Sequence, residues 1–122
     1  MQEPAAYDIA VYQGASWDLF LTWSTGDPLV PVNLTGWDAA LQVRTEPGSD
    51  TVLLELSTGN GRIALGGAAG TANLSVNAET TATLDSGVYV YDLEMYAGEG
   101  GQVVRLIMGS FSVDPEVTRW LL

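Results

Sequence analysis

Asp92 and Glu94 lie two residues apart in Gly87-Val88-Tyr89-Val90-Tyr91-Asp92-Leu93-Glu94. Two carboxylates on one strand face are the group that hydrolyses glycosidic bonds. A solvated strand face gives the same spacing, and that is the reading taken here. Nucleophilic catalysis by serine or cysteine needs a base, usually histidine. The chain contains no histidine and no cysteine. Gly109-Ser110-Phe111-Ser112 lacks the second glycine of a nucleophile elbow. Zinc would want the missing histidine or cysteine ligands. Calcium suits acids better, but Asp27, Asp50 and Asp85 are scattered and form no acidic loop of the EF-hand kind. Loop aspartates usually serve turns. The glycine run Gly66–Gly70 lacks the lysine of a phosphate loop, and no helix follows it directly. No catalytic, metal-binding or cofactor-binding residue is therefore assigned, and the chain is expected not to be an enzyme.

The residues that do suggest a function are those of contact. After Asp114-Pro115 the sequence reads Glu116-Val117-Thr118-Arg119-Trp120-Leu121-Leu122. Solvated chain ends are normally polar, and this one is apolar. Trp and Arg are enriched at interface hot spots. Arg119, Trp120, Leu121 and Leu122 are thus the candidate protein–protein interface. The segment either folds back on its own domain or docks on another chain. Trp17, Trp23 and Trp37 fall on inward-facing positions and are read as core, whereas no predicted strand claims Trp120.

Charge narrows the partners. Fifteen acids stand against four arginines (Arg44, Arg62, Arg105 and Arg119), with no lysine, for a formal charge of −11. Nucleic acids are bound chiefly through lysine and arginine on phosphates, so a domain this acidic is expected to bind neither nucleic acid nor an anionic membrane surface. No small-molecule substrate or cofactor is expected. No apolar run reaches the 18 or so residues a membrane helix needs, and Met1-Gln2-Glu3-Pro4 lacks a signal-peptide start. Synthesis in the cytoplasm is expected.

The elements that must position these residues are strands. Apolar residues recur every second position, the period of half-buried strands. The expected inward sets are Trp17, Leu19, Leu21 and Trp23; Trp37, Ala39, Leu41 and Val43; Val52, Leu54 and Leu56; Ala72, Leu74 and Val76; and Tyr89, Tyr91, Leu93 and Met95. In Gln102–Val113 the phase breaks, with Leu106 and Met108 on one parity and Phe111 and Val113 on the other. A bulge at Gly109 would let both pairs point inward; the alternative is a strand covered on both faces. Asn60-Gly61, the favoured type I′ pair, predicts a hairpin between Leu56 and Ile63. Gly66–Gly70 and Gly98–Gly101 predict two more hairpin links. Asn77 is expected to cap a short helix over Ala78–Leu84, with Glu79 in its first turn. The sum is a single all-β domain over residues 1–122, with a short N-terminal arm (1–6) and a C-terminal apolar tail (115–122). Its expected architecture is an antiparallel β-sandwich of about eight to nine strands, Ig-like or jelly-roll-like, with at most one short helix.

Several phrases in this order carry a resemblance: Gly14-Ala15-Ser16-Trp17-Asp18-Leu19-Phe20-Leu21-Thr22-Trp23; Pro31 through Arg44, with Asn33-Leu34-Thr35-Gly36-Trp37; Gly87 through Glu94; and Arg105–Val113 closing with Asp114-Pro115-Glu116-Val117-Thr118. Together they resemble small β-sandwich proteins of tailed phages and prophages, similar to the N-terminal domains of upper-baseplate and tail-fibre-adaptor proteins. The resemblance implies a non-enzymatic structural component of a virion. It would be a tail, baseplate or fibre-attachment accessory that contacts other virion proteins and copies of itself. Larger members carry a receptor-binding or fibre-holding part after the sandwich; stopping at Leu122 favours a module that mounts on something else. Two other readings are carried forward: a capsid decoration protein on the outer head surface, and a carbohydrate-binding module contacting the host, which would need exposed, coplanar aromatics.

Overall fold

The computed structural model describes residues 4–98 and 100–120. Strands β1 (Ala5–Ala6), β2 (Ile9–Tyr12), β3 (Trp17–Thr22), β4 (Ser24–Thr25), β5 (Val30–Pro31), β6 (Asp38–Arg44) and β7 (Leu54–Ser57) fill the first half. Strands β8 (Ile63–Leu65), β9 (Thr71–Val76), β10 (Gly87–Tyr96) and β11 (Val103–Asp114) follow, with one α-helix, α1 (Ala78–Ala82), between β9 and β10. Three of the strands are two-residue pieces, which leaves eight of ordinary length.

The strands form two main sheets. The larger has the order β1-β11-β10-β6-β7, with β2 also on the outer side of β11; the smaller is β3-β9-β8. A two-stranded ribbon, β4-β5, sits apart. One cluster of buried side chains joins the sheets. It includes Leu41 and Val43 from β6, Leu56 from β7, Leu74 from β9, Leu93 from β10 and Phe111 from β11. The inward sets expected for β3, β6, β9 and β10 all lie on the core side. Trp23 is buried, while Trp17 and Trp37 are half-buried against the cluster. Trp23 and Trp37 meet edge to face, with centroids 5.6 Å apart.

Four expectations need correction. First, Asn60-Gly61 does not close a hairpin. β7 pairs with β6 and β8 with β9, so this turn carries the chain from one sheet to the other. A type I′ turn needs positive φ at both central residues, and only Gly61 (φ 81°) has it. Asn60 instead organises the turn by side chain: its Oδ1 accepts from Ser57 N–H and Arg62 N–H (both 3.0 Å), and its Nδ2 donates to the Glu55 carbonyl at 2.9 Å. Second, the bulge lies at Leu106. Leu93 pairs with Ile107 and Glu94 with Arg105, so Leu106 is the extra residue. Leu106 and Ile107 are both buried and Met108 turns outward.

Third, the pairing is not wholly antiparallel: β1 and β2 both run parallel to β11. Gly109 serves that approach rather than a bulge. A methyl group there would collide with the Tyr7 carbonyl and Asp8. The end of the expected N-terminal arm is thereby paired, since Ala5 and Ala6 lie beside Ile107 and Met108. Fourth, the strand expected from Thr51 begins only at Leu54, and Val52 is exposed. The helix comes as expected but stops two residues early, with Asn77 Oδ1 accepting from Thr80 N–H at 2.8 Å. The link into β10 is fixed by Tyr89, whose hydroxyl donates to the Asp85 carbonyl at 2.7 Å.

The position of the bulge is testable. Ile107→Lys should unfold the domain or cost several kcal/mol, because it buries an unpaired charge. Met108→Lys should stay within roughly 0.5 kcal/mol of the parent, as surface changes do. Chemical denaturation of both variants checks it; the reverse order, with Met108→Lys costly and Ile107→Lys tolerated, would restore the bulge to Gly109.

Candidate functional site

The C-terminal segment leaves the sandwich at Asp114 beside the β2–β3 turn. Gln13 clamps the exit. Its backbone N–H donates to the Asp114 carbonyl at 2.9 Å, and its side chain donates to the Leu84 carbonyl at 2.9 Å and accepts from Glu116 N–H at 3.0 Å. Thr81, buried in α1, braces the same corner: its hydroxyl accepts from Gly14 N–H and donates to the Ala15 carbonyl. Beyond the clamp, among the described residues, no hydrogen bond or ion pair ties the chain to the core. Val117 is 91% exposed and Trp120 76% exposed. Arg119 and Trp120 line an open cleft of about 490 Å³ with Glu79 of α1 and Glu116. Of the four candidate interface residues, the structure thus brings Arg119 and Trp120 together on the surface; Leu121 and Leu122 lie outside the described residues.

The outer face of the larger sheet is the second surface. Asp92 pairs with Arg105 at 3.1 Å. Arg44 donates to the Ser49 carbonyl and to Gln42 Oε1, and Gln42 passes the chain on to Glu55 at 2.6 Å. Glu94 is exposed and faces Ala40 of β6 across the ladder. Asp92 and Glu94 do share this face and both line a half-open cleft of about 490 Å³ with Arg44, Tyr91 and Arg105, but Asp92 is engaged by Arg105. At the hairpin end of the sheet a groove of about 570 Å³ opens over Ala40, between Tyr96 and Val103 on one side and Thr58 on the other, with Asp38 and Glu94 at its edge.

Neither Asp27, Asp50 nor Asp85 joins a cluster: among the described residues no group of three or more acids is placed to hold a metal ion. Ser110 is engaged too, its N–H donating to Asp8 Oδ1 at 3.0 Å. That bond, with a second from the Ser110 side chain, holds the Asp8 carboxyl below the ordinary aspartate value.

The N-terminal strands are latched by Tyr91, a residue the sequence reading placed only as core. Its hydroxyl crosses from β10 to donate to the Tyr7 carbonyl. Burial foremost, and then the neighbouring Tyr7 and Asp8, push this phenol well above its ordinary value. Its ring packs edge-on against Phe111, which packs edge-on against Trp17 of the opposite sheet.

No protein-family profile matches the chain, and no curated protein sequence matches it. Its fold does match: a chicken T-cell-receptor crystal structure aligns over 96% of this chain with a TM-score of 0.52 at 13% identity. The match covers 56% of that receptor chain. At this identity it shows the fold alone, and the fold is an Ig-like β-sandwich. Two local features agree with it. Tyr89 makes a tyrosine corner at the start of the penultimate strand, and Tyr91 stands two residues on, where immunoglobulin domains place the second cysteine of their inter-sheet disulfide. Here the Trp17–Phe111–Tyr91 series bridges the sheets instead. The sequence signal was Asp85-Ser86-Gly87-Val88-Tyr89, in which the tyrosine lies four residues after the carbonyl it binds.

The latch has a pH signature. A tyrosine whose folded pKa is raised contributes stability that is whole below the unfolded value, about 10, and is lost as pH climbs from there toward the folded value. Thermal melts should therefore fall above about pH 10. Tyr91→Phe should cost roughly 0.5–1.5 kcal/mol at neutral pH and flatten the alkaline decline. An unchanged alkaline slope in that variant would show that other groups cause it.

Proposed function

We propose that this chain is a non-enzymatic structural part of a tailed-phage particle, a tail, baseplate or fibre-attachment accessory that works through protein–protein contacts. The observation that carries the reading is the exposed Arg119-Trp120 pair, held clear of the core just past a hydrogen-bonded exit at Gln13. A Trp side chain is costly to leave in water, at roughly 25 cal/mol per Å² of apolar surface, and Trp and Arg are enriched at interface hot spots. The resemblance of the sequence phrases to phage β-sandwich proteins supplies the setting. The Ig-like fold is compatible with it but hosts many functions and does not select one.

A capsid decoration protein is the alternative position in the particle, and the acid excess suits an outward surface. A carbohydrate-binding module is less well supported: the ring–ring pairs among the described residues lie in or against the core, and the exposed Tyr7, Tyr12, Phe20, Tyr96 and Trp120 are spread along the chain and form no ring–ring pair among the described residues.

Mass spectrometry of purified particles should find the chain. A copy number of a few to a few dozen would fit the tail, hundreds the head, and absence would defeat the virion assignment. Removing residues 117–120 should leave the isolated sandwich within about 1 kcal/mol of its parent stability, as expected for exposed residues, while lowering the number of copies incorporated. A large loss of thermal stability would mean instead that the segment packs on its own domain.

A further inference from the structure

The groove over Ala40 and the Arg119-Trp120 segment complement one another. The groove has an apolar floor and wall, formed by Ala40, Tyr96 and Val103, and two acids, Asp38 and Glu94, at its edge. The segment offers a guanidinium followed at once by an indole. Asp38 already accepts a bond from Thr58, whereas Glu94 has no hydrogen bond or ion pair among the described residues. The arginines are similarly divided. Arg44 and Arg62 donate to backbone carbonyls and Arg105 pairs with Asp92, which leaves Arg119 exposed and without such a partner among the described residues.

Geometry decides whether the two can meet within one molecule. Val103, in the wall of the groove, is the first residue of β11, and the segment emerges after Asp114, the last. The strand is 12 residues long, so its ends are roughly 36 Å apart at about 3.3 Å per residue. The six residues Pro115–Trp120 extend at most about 22 Å. Trp120 therefore cannot reach its own groove, but it can reach a neighbour's.

We propose that Arg119 and Trp120 of one copy seat in the Ala40 groove of a second copy, with the guanidinium on Glu94 and the indole against Tyr96 and Val103. The contact is head to tail. Such a contact joins two different surfaces, so repetition gives a ring where the rotation closes and a filament where it does not. It involves few side chains, far less than the roughly 1,600 Å² of a standard interface. Association in dilute solution is therefore weak, and high local concentration, as on a particle, would be needed to populate it. The proposal rests on the reading of the segment as a contact element, and not on which particle the chain belongs to.

The absence of native cysteine makes a trapping experiment clean. Thr118→Cys places a thiol beside the docking pair without removing it. Gly59→Cys places one at the edge of the groove, where an added side chain meets only Ser57 Oγ at 3.7 Å. Mixed and oxidised, the two proteins should form a disulfide-linked heterodimer. Val88→Cys, 74% exposed on the far end of the same face, replaces Gly59→Cys as the control and should trap at a rate lower by roughly thirtyfold, the scale of one lost hot-spot contact. Adding Arg119→Glu to the Thr118→Cys partner should slow trapping similarly, and Glu94→Arg in the groove partner should restore it. Trapping equal to that of the Val88 control, or indifferent to the charge exchange, would overturn the proposal and assign the segment to a different chain. Neither result would bear on whether the protein is found in virions, which the particle census reads separately.

Discussion

A sandwich without a disulfide must hold its two sheets together by packing alone, and Phe111 is where this constraint is met. It is fully buried, with Trp17 from the smaller sheet on one side and Tyr91 from the larger on the other. Edge-to-face aromatic pairs contribute roughly 0.5–1.5 kcal/mol each beyond the area they bury, so the series offsets part of the few kcal/mol a cross-link would supply. The same tyrosine then reaches past the core to hold the N-terminal strands. Core packing and docking of β1 and β2 are thus one arrangement: the ring that lies against Phe111 carries the hydroxyl that holds Tyr7.

The parallel edge follows from that arrangement. β2 aligns Ile9 with Phe111 and Val11 with Val113, putting Ile9 and Val11 into the same core. To lie so close, the chain needs Gly109 free of a side chain, and Asp8 to receive Ser110 N–H. The bulge at Leu106 has the complementary effect at the other end of β11. It inserts one residue, so that Leu106 and Ile107 both point inward, and it sets Met108 and Arg105 on the outer face. That shift sets Arg105 opposite Glu94 on the outer face, from where its guanidinium reaches diagonally to Asp92.

The legible parts of the fold were those governed by local periodicity. The faces of β3, β6, β9 and β10 follow from alternation alone, and the Asn77 cap follows from the preference of an asparagine side chain for the amides of a first turn. The parts that misled were decided at a distance. Asn60-Gly61 carries a strong hairpin signal, yet a turn dipeptide does not say whether its flanking strands stay in one sheet; here Leu56 and Ile63 go to different layers. The phase break in β11 was visible, but glycine drew the bulge to Gly109, whose smallness answers to a strand about 100 residues away in sequence, as the Asp8–Ser110 bond records. Parallel pairing of β1 and β2 leaves no local mark at all. Of the candidate site, the exposed Arg-Trp pair was legible as composition out of place. The groove was not, because its floor is an alanine and its walls come from strands that only the sheet order brings together.

The charge of the chain acquires a more definite meaning from this geometry. Spread evenly, −11 on a domain of 122 residues would only keep copies apart, since like charges repel over a Debye length of about 8 Å at physiological salt. The arginines are few, and three of them are spent inside the molecule on turns and on Asp92. General repulsion combined with one complementary spot is how an interface gains selectivity without strength: wrong orientations bring acid to acid, and the proposed orientation brings a guanidinium to Glu94. On such a surface the orientation of a contact is set by where positive charge has been left over, and in this chain that place is beside Trp120.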